Sequence, residues 1–433
     1  MRLPILLLCL ASAAFAQPSY DLVIRNARVV DGAGGPWFKA DVAVQGDSIA
    51  AMGALGKVNA AREIDASGLM LAPGFLDIHS HSRGAILDHP DSENVVRQGV
   101  TTVVDGNDGG SPLPLSRHFD EVRQSKPAIN YASFVGHGSI RREVIGSEDR
   151  KATDDEIKQM QAITRRAMQD GAWGVSSGLF YLPGMFASTE EVAALGKVAS
   201  EYGGMHISHM RDEADHLLDS VKETIAIGEL GGLPTQITHH KAVGKAQWGL
   251  SEQSLALVDA ARARGVDVTI DHYPYTASHT GTAALFPPWV QEGGKDKMLA
   301  RLADPAQRKR AQADVAKSIE FNRGGGNPKN IQFSTCGFDK TLNGKTLADA
   351  TRMAGREVTF DNAAETAIEI QEKGGCSAVY HAIGEEDVRR IMQHPPPWSP
   401  PTAASWRSAK ASRTRATTAH SRACWATTSA SSR

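Results

Sequence analysis

Two histidines set two residues apart, His79 and His81 in Pro73-Gly-Phe-Leu-Asp-Ile-His-Ser-His-Ser82, are the first chemistry-bearing residues of this chain. Side chains alternate along a strand, so both imidazoles can face one point beyond the end of the apolar run Phe75–Ile78. A His-x-His pair is a metal-ligand spacing, and equally the spacing of two unrelated polar histidines. Further strand-like runs end in groups of the same kind. Thr101–Val104 leads through Asp105-Gly-Asn to Asp108, and Met205–Ser208 to His209-Met-Arg-Asp-Glu213. Thr235–Thr238 leads to His239-His-Lys241, and Val266–Ile270 to Asp271-His-Tyr-Pro-Tyr275. One such residue is an ordinary loop or capping group. A series of them at successive strand ends converges if the strands form a barrel, whose chemistry sits at their C-terminal ends. Imidazole and carboxylate ligands with an open position make a zinc hydrolase pattern.

The elements that must hold these residues follow from the remaining pattern. After His81, β-type runs alternate with helical segments, which predicts a parallel sheet with crossovers. The strand candidates include Tyr131–Val135, Trp173–Ser176 and Ile331–Ser334. Helices are expected after the acidic starts Thr153-Asp-Asp-Glu-Ile157 and Ser188-Thr-Glu-Glu-Val192, the second close to a capping box. The fold class expected is α/β, a (β/α)8 barrel over residues 73–395, incomplete at its C-terminal end. Residues 20–72 alternate short β runs with turns and predict a small antiparallel unit, an incomplete sandwich.

Bulk properties narrow the function. The 433-residue chain balances 47 Lys and Arg against 49 Asp and Glu for a net charge of -2, which argues against nucleic acid. Residues 1–16 carry one basic residue, a short apolar run and Ala14-Phe-Ala16. They read as a signal peptide cleaved after Ala16, predicting an exported, periplasmic or secreted protein without a membrane anchor. Cys9 is removed with it. Cys336, Cys376 and Cys424 remain, an odd number without a Cys-x-x-Cys, so neither a disulfide framework nor a cysteine-built zinc site is expected.

The motifs taken together resemble the amidohydrolase superfamily, and within it the N-acyl-D-amino-acid deacylase (D-aminoacylase) family. They are Pro73–Ser82, Gln98–Asp108, Gly136-His-Gly138, Gly178–Gly184, His209–Glu213, His239–Lys241, Tyr273-Pro-Tyr275 and Leu285–Trp289, and the likeness runs from about Tyr20 to Pro395. The resemblance implies one tightly held zinc on Asp108, His209 and His239, with His79 and His81 holding a second, weaker or optional metal. Family members often carry Cys where this chain has Asp108; a carboxylate still ligates or bridges, as a harder ligand. Lys241 matches the family's lysine and would hold the substrate carboxylate or polarise the scissile carbonyl. Tyr181, Tyr273 and His279 would line the substrate pocket, against the alternative of ordinary packing, and His137, in a Gly-His-Gly turn at a strand end, would either support the ligands from behind or simply belong to the turn.

The implied reaction is metal-assisted amide hydrolysis of a small N-acyl amino acid. An Asp in a Ser-Asp-Gly sequence, shortly after a His-Pro pair, takes the proton of the attacking water. His394-Pro395 is present, but residues 396–433 contain no Asp, Glu, Gly, Leu, Ile or Val and should be disordered. Regrouping the bases of Trp398–Trp406 by one position permits Met-Val-Ala-Ser-Asp-Gly-Gly-Ile-Val, so a frameshift is expected here, with the general-base Asp absent and the chain possibly inactive. Two alternatives stand beside the deacylase. One is a cyclic-amide hydrolase resembling dihydroorotase or hydantoinase, which bridges two metals with a carboxylated lysine where this chain has Asp108. The other is a non-catalytic metal-binding remnant.

Overall fold

A computed structural model describes residues 19–395. The expected signal peptide and the residues from Pro396 onward lie outside them. The chain divides into two units, with the boundary after Phe75.

In the first unit, strand Ser19–Val29 pairs antiparallel with Phe38–Gln45, which pairs antiparallel with Ser48–Gly53. The unit is not wholly antiparallel, however. Asn59–Asp65 and Met70–Leu71 run parallel to the first strand. Asn59–Asp65 is polar and largely exposed, so it carries no alternating apolar signal to betray it. Ala27, Val29, Ala40, Val42 and Ala66 form the small core.

The second unit is built on seven strands taken in sequence order. Phe75–Asp77, Val100–Asp105 and Asn130–Ser133 form one group. Val135–Gly136, Gly174–Gly178, Met205–His209, Thr235–Ile237 and Val268–Ile270 continue as parallel neighbours, with Asn130–Gly136 spanning both groups. The ends of this arc meet, since His79 Nδ1, beyond the first strand, lies 3.2 Å from the Asp271 carboxylate, beyond the last. The barrel expectation holds, with one strand reassigned.

Ile331–Cys336 is not a barrel strand. It pairs antiparallel with Cys376–Tyr380, which pairs antiparallel with Ser278–Gly281. This sheet belongs to an insertion after the seventh barrel strand. Helices Pro305–Phe321 and Phe360–Glu372 join it in the largest apolar cluster, with Val315, Ile319, Phe333, Ile368 and Tyr380 fully buried or nearly so. A short apolar run reads the same in either sheet; the partner strand decides.

Antiparallel register also places Cys336 opposite Cys376, and the two form a disulfide, against the expectation of no disulfide framework. The bond closes a separation of 40 residues around helix Phe360–Glu372. Replacing both cysteines by alanine should cost about 2–4 kcal/mol of stability. Chemical denaturation of this variant beside the parent checks it, and equal midpoints would show that the bond contributes nothing.

Helix Asp154–Asp170 has a full capping box between Thr153 and Glu156. At Thr189–Ser200, Ser188 accepts from the Glu191 backbone N–H, but the Glu191 carboxylate does not return the bond. It turns inward, 2.8 Å from His137 Nε2 and 2.5 Å from Arg141 Nη1, all three side chains being buried. The last described helix, Glu385–Met392, packs on Ser251–Ala263, where Asp387 accepts from the backbone N–H groups of Gly249 and Ser251. A carboxylate there complements the positive end of the helix dipole. Among the described residues no helix is long and apolar enough to cross a membrane.

Candidate metal centre

The strand ends bring five predicted ligands together. His79, His81 and Asp108 form one group, and Asp108, His209 and His239 a second, each with its ligand atoms within 4.8 Å of one another. Asp108 is common to both. Its Oδ1 lies 3.7 Å from His79 Nε2, 3.8 Å from His209 Nδ1 and 3.6 Å from His239 Nε2, while its Oδ2 lies 3.4 Å from His81 Nε2. These separations are long for hydrogen bonds, but two ligands about 2.1 Å from a tetrahedral metal stand roughly 3.4 Å apart. Asp108 Oδ1 and both ring nitrogens of His209 are buried without a hydrogen-bond partner. Such orphaned groups are costly unless a ligand meets them. The residues present therefore fit a metal.

The local backbone explains the placement. Asp108 adopts a left-handed conformation, φ 54°, and its carbonyl lies against Gly178, where a Cβ would collide with it. Gly136 and Gly138 flank His137 and pack in the same way on the Gly109 carbonyl. His137 itself points away to Glu191, so it supports this loop and is not a ligand.

Charge states suit the ligand role. Burial, reinforced by the charge of His239, holds His209 well below the ordinary imidazole range, so it is neutral. Burial would raise the Asp108 carboxyl, but the facing His239, His79 and His81 outweigh it and hold the group well below its usual range. Burial works against charge on His79 too, yet Asp108 and Asp271 raise it to about 10 in the metal-free protein. A metal here displaces that proton.

Three supporting residues carried no assigned role in the sequence. Glu213, fully buried, lies 3.2 Å from His239 Nδ1 and accepts from Lys241 Nζ. Lys241 Nζ lies 2.8 Å from the same Nδ1, so this ring edge of His239 is held between the Lys241 ammonium and the Glu213 carboxylate while Nε2 faces Asp108. Asp271 likewise faces His79 Nδ1 and also accepts from the His239 backbone N–H. Glu213 falls within the His209–Glu213 motif and Asp271 at a strand end, so a local signal existed. Arg323, in a glycine-rich stretch of the insertion, offered none.

These groups open into a cavity of about 520 Å³ that also takes in Tyr181, Lys241, Tyr273, His279 and Arg323. Tyr181 stacks near His209, ring centroids 4.6 Å apart, and its hydroxyl lies 3.2 Å from Thr280 Oγ1 of the insertion. His279 is on the same strand and lies 2.8 Å from Ser334 Oγ. All three predicted pocket residues thus reach the cavity. Lys241 is buried, bonded to Glu213 and to the His239 carbonyl at 2.7 Å, with Tyr273 beneath its ammonium.

Fold and site together define an α/β-barrel protein with a candidate metal centre shared by imidazoles and one carboxylate. Comparison with known proteins agrees. Residues 62–399 match the amidohydrolase family model. A D-aminoacylase from Alcaligenes xylosoxydans xylosoxydans is 38% identical over 62% of this chain and 60% of its own length, so the chain spans less than two thirds of that relative. An N-acyl-D-glutamate deacylase from the same organism is 34% identical over 87% of this chain and 72% of its own. In structure, the N-acyl-D-glutamate deacylase of Bordetella bronchiseptica, solved with zinc and a phosphonate inhibitor, superposes with a TM-score of 0.72 at 30% identity, over 87% of this chain and 74% of that one. The chain belongs to the amidohydrolase family, among the D-aminoacylases and N-acyl-D-amino-acid deacylases.

Proposed function

We propose that this protein is a zinc-dependent hydrolase of linear amides that converts N-acyl-D-amino acids to the D-amino acid and a carboxylate. The observation that carries this reading is the pair of ligand sets meeting at Asp108 beside a cavity that also holds Lys241. Zinc on Asp108, His209 and His239, with a second metal on His79 and His81, would supply an activated water and polarise the acyl carbonyl. The chain's own residues do the rest. Glu213 and Lys241 orient the His239 ring, and Asp271 orients that of His79. Lys241 lines the cavity with its ammonium held against Glu213, the His239 carbonyl and His239 Nδ1, and supplies a fixed positive charge beside the substrate. Tyr181, Tyr273 and His279 line the cavity. The cyclic-amide alternative loses ground because Asp108, not a lysine, is the shared group.

The second reading, a metal-binding chain without turnover, draws on the carboxylates. Among the described residues each one lining the cavity is engaged. Asp77 accepts from the His79 backbone N–H, Asp108 is shared, Glu213 is bonded to Lys241, and Asp271 holds His79. None is free to take the proton of the attacking water, and residues 396–433 contribute no Asp or Glu. A frameshift near Pro397 accounts for that composition. Export through residues 1–16 is consistent with the Cys336–Cys376 bond, since disulfides persist in oxidising compartments.

Paired assays separate the readings. Zinc content is measured first, then hydrolysis of N-acetyl-D-methionine, N-acetyl-L-methionine and a hydantoin, for the 433-residue chain and for the frame-restored chain. Zinc in both, with D-specific turnover in the restored chain alone, is the expected result. Hydantoin as the preferred substrate would sink the deacylase reading. Ordinary turnover by the 433-residue chain would sink the inactivity, and a gene in which no one-base shift yields Ser-Asp-Gly would sink the frameshift.

A further inference from the structure

Arg323 begins the stretch Arg323-Gly-Gly-Gly-Asn327, which follows helix Pro305–Phe321. The stretch is fixed by packing. A Cβ on Gly324 would run into the Ile319 carbonyl, and Asn330 donates to the Gly324 carbonyl at 2.9 Å. Arg323 is only 6% exposed, yet it lines the cavity. Its guanidinium lies over the Phe180 ring, 4.3 Å from the centroid, with Nη2 3.5 Å from Glu213 Oε2. No side-chain hydrogen bond joins it to another described residue. A buried guanidinium with five donors and only the Glu213 carboxylate, at 3.5 Å, beside it has donors left for a further anion.

The charges around it agree. Glu213 faces two buried cations, Lys241 and Arg323. Lys241 makes the closer contact, so Arg323 is the less closely paired of the two cations. Among the described lining residues Lys241 and Arg323 are the only lysine and arginine.

We infer that Arg323 is a specificity-determining residue that receives the substrate's carboxylate. This rests on the N-acyl amino acid reading of the site. The span suits such a substrate, in which only Cα and N separate the carboxylate from the acyl carbon. Arg323 is one residue removed from the ligand histidines, since both of its neighbours also face His209: Glu213 Oε2 lies 3.9 Å from His209 Nε2, and the Phe180 and His209 ring centroids are 5.7 Å apart. A guanidinium fork matches a carboxylate with two parallel hydrogen bonds, which an ammonium cannot do.

Binding, not turnover, tests this. The zinc-loaded full chain, Arg323→Met and Arg323→Lys are titrated calorimetrically with N-acetyl-D-methionine and with its carboxamide, with zinc content and circular dichroism recorded for each. The parent should prefer the acid. In Arg323→Met, affinity for the acid should fall about 10–100-fold while affinity for the carboxamide stays within a factor of two or so, and Arg323→Lys should fall between. A folded, zinc-loaded Arg323→Met with the parent's acid-to-carboxamide ratio overturns the inference and leaves the deacylase reading standing. If Arg323→Met fails to fold, an undiminished preference in Arg323→Lys does the same. A parent that binds neither ligand overturns both. Arg323-dependent binding of the acid, with no deacylation by the frame-restored chain, supports this inference and removes the deacylase.

Discussion

Asp108→Ala should empty both metal positions at once, whereas His81→Ala should weaken only one. Asp108 is the single residue common to the two ligand sets, and its Oδ1 faces His79, His209 and His239 at 3.6–3.8 Å. Loss of a supporting residue behind a metal ligand costs about 10–100-fold in affinity, and loss of a shared ligand more than that. Removing the carboxylate also leaves three imidazoles facing one another without an anion between them. His81 is different, since its side chain is 60% exposed and touches the shared carboxylate from the outer side. Zinc competition against a chelator of known affinity measures both variants. If Asp108→Ala retained zinc as tightly as the parent, the shared-ligand geometry would be wrong. Asp108→Cys is the informative third variant, because a thiolate is the softer ligand and should hold zinc at least as well.

Glu191→Gln should cost about 3–5 kcal/mol of folding stability at pH 7, the usual penalty for stranding one member of a buried ion pair. The amide has the carboxylate's shape and lacks its charge, so Arg141, fully buried, loses its counter-ion. The pH dependence follows from the direction of the Glu191 shift. Burial pushes its carboxyl up, but His137 and Arg141 outweigh that and hold it below the ordinary value. A depressed carboxyl contributes stability that is present above the unfolded value of about 4.3 and is lost as pH falls through the folded one. The gap between parent and variant should therefore be constant near neutrality and close in acid. Urea denaturation at pH 7 and at about pH 3, below the unfolded value, reads both parts. A gap that widens in acid would contradict the assignment of charge. The cluster has a second consequence through His137, whose flanking glycines pack on the Gly109 carbonyl. Glu191→Gln should thus loosen the loop that presents Asp108, which the chelator competition would also register.

Much of the centre was legible because strand geometry does most of the placing. His79 and His81 share a face by alternation, and Asp108, His209 and His239 each follow an apolar run that the barrel directs to one end. Residues whose roles depend on distant neighbours were harder to see. Ile331–Ser334 has the composition of a buried barrel strand, and only its pairing with Cys376–Tyr380 assigns it to the insertion. The same pairing makes the disulfide, which an odd cysteine count conceals. Glu191 resembles a capping-box acid until His137 and Arg141 arrive from another helix. Arg323 lies in a loop without hydrophobic period, and its importance comes entirely from Glu213, Phe180 and the cavity.

The contact between His79 and Asp271 joins residues 192 positions apart. During synthesis, the first barrel strand and its histidine pair are made long before the carboxylate that orients His79. The histidine pair cannot be a finished metal site until Asp271 has been made and its strand has docked against the earlier ones. Closing so long a loop is a late and entropically expensive event in folding. Metal capture at the proposed outer position would therefore report on the docking of the seventh strand, and its rate in a refolding experiment would time that step.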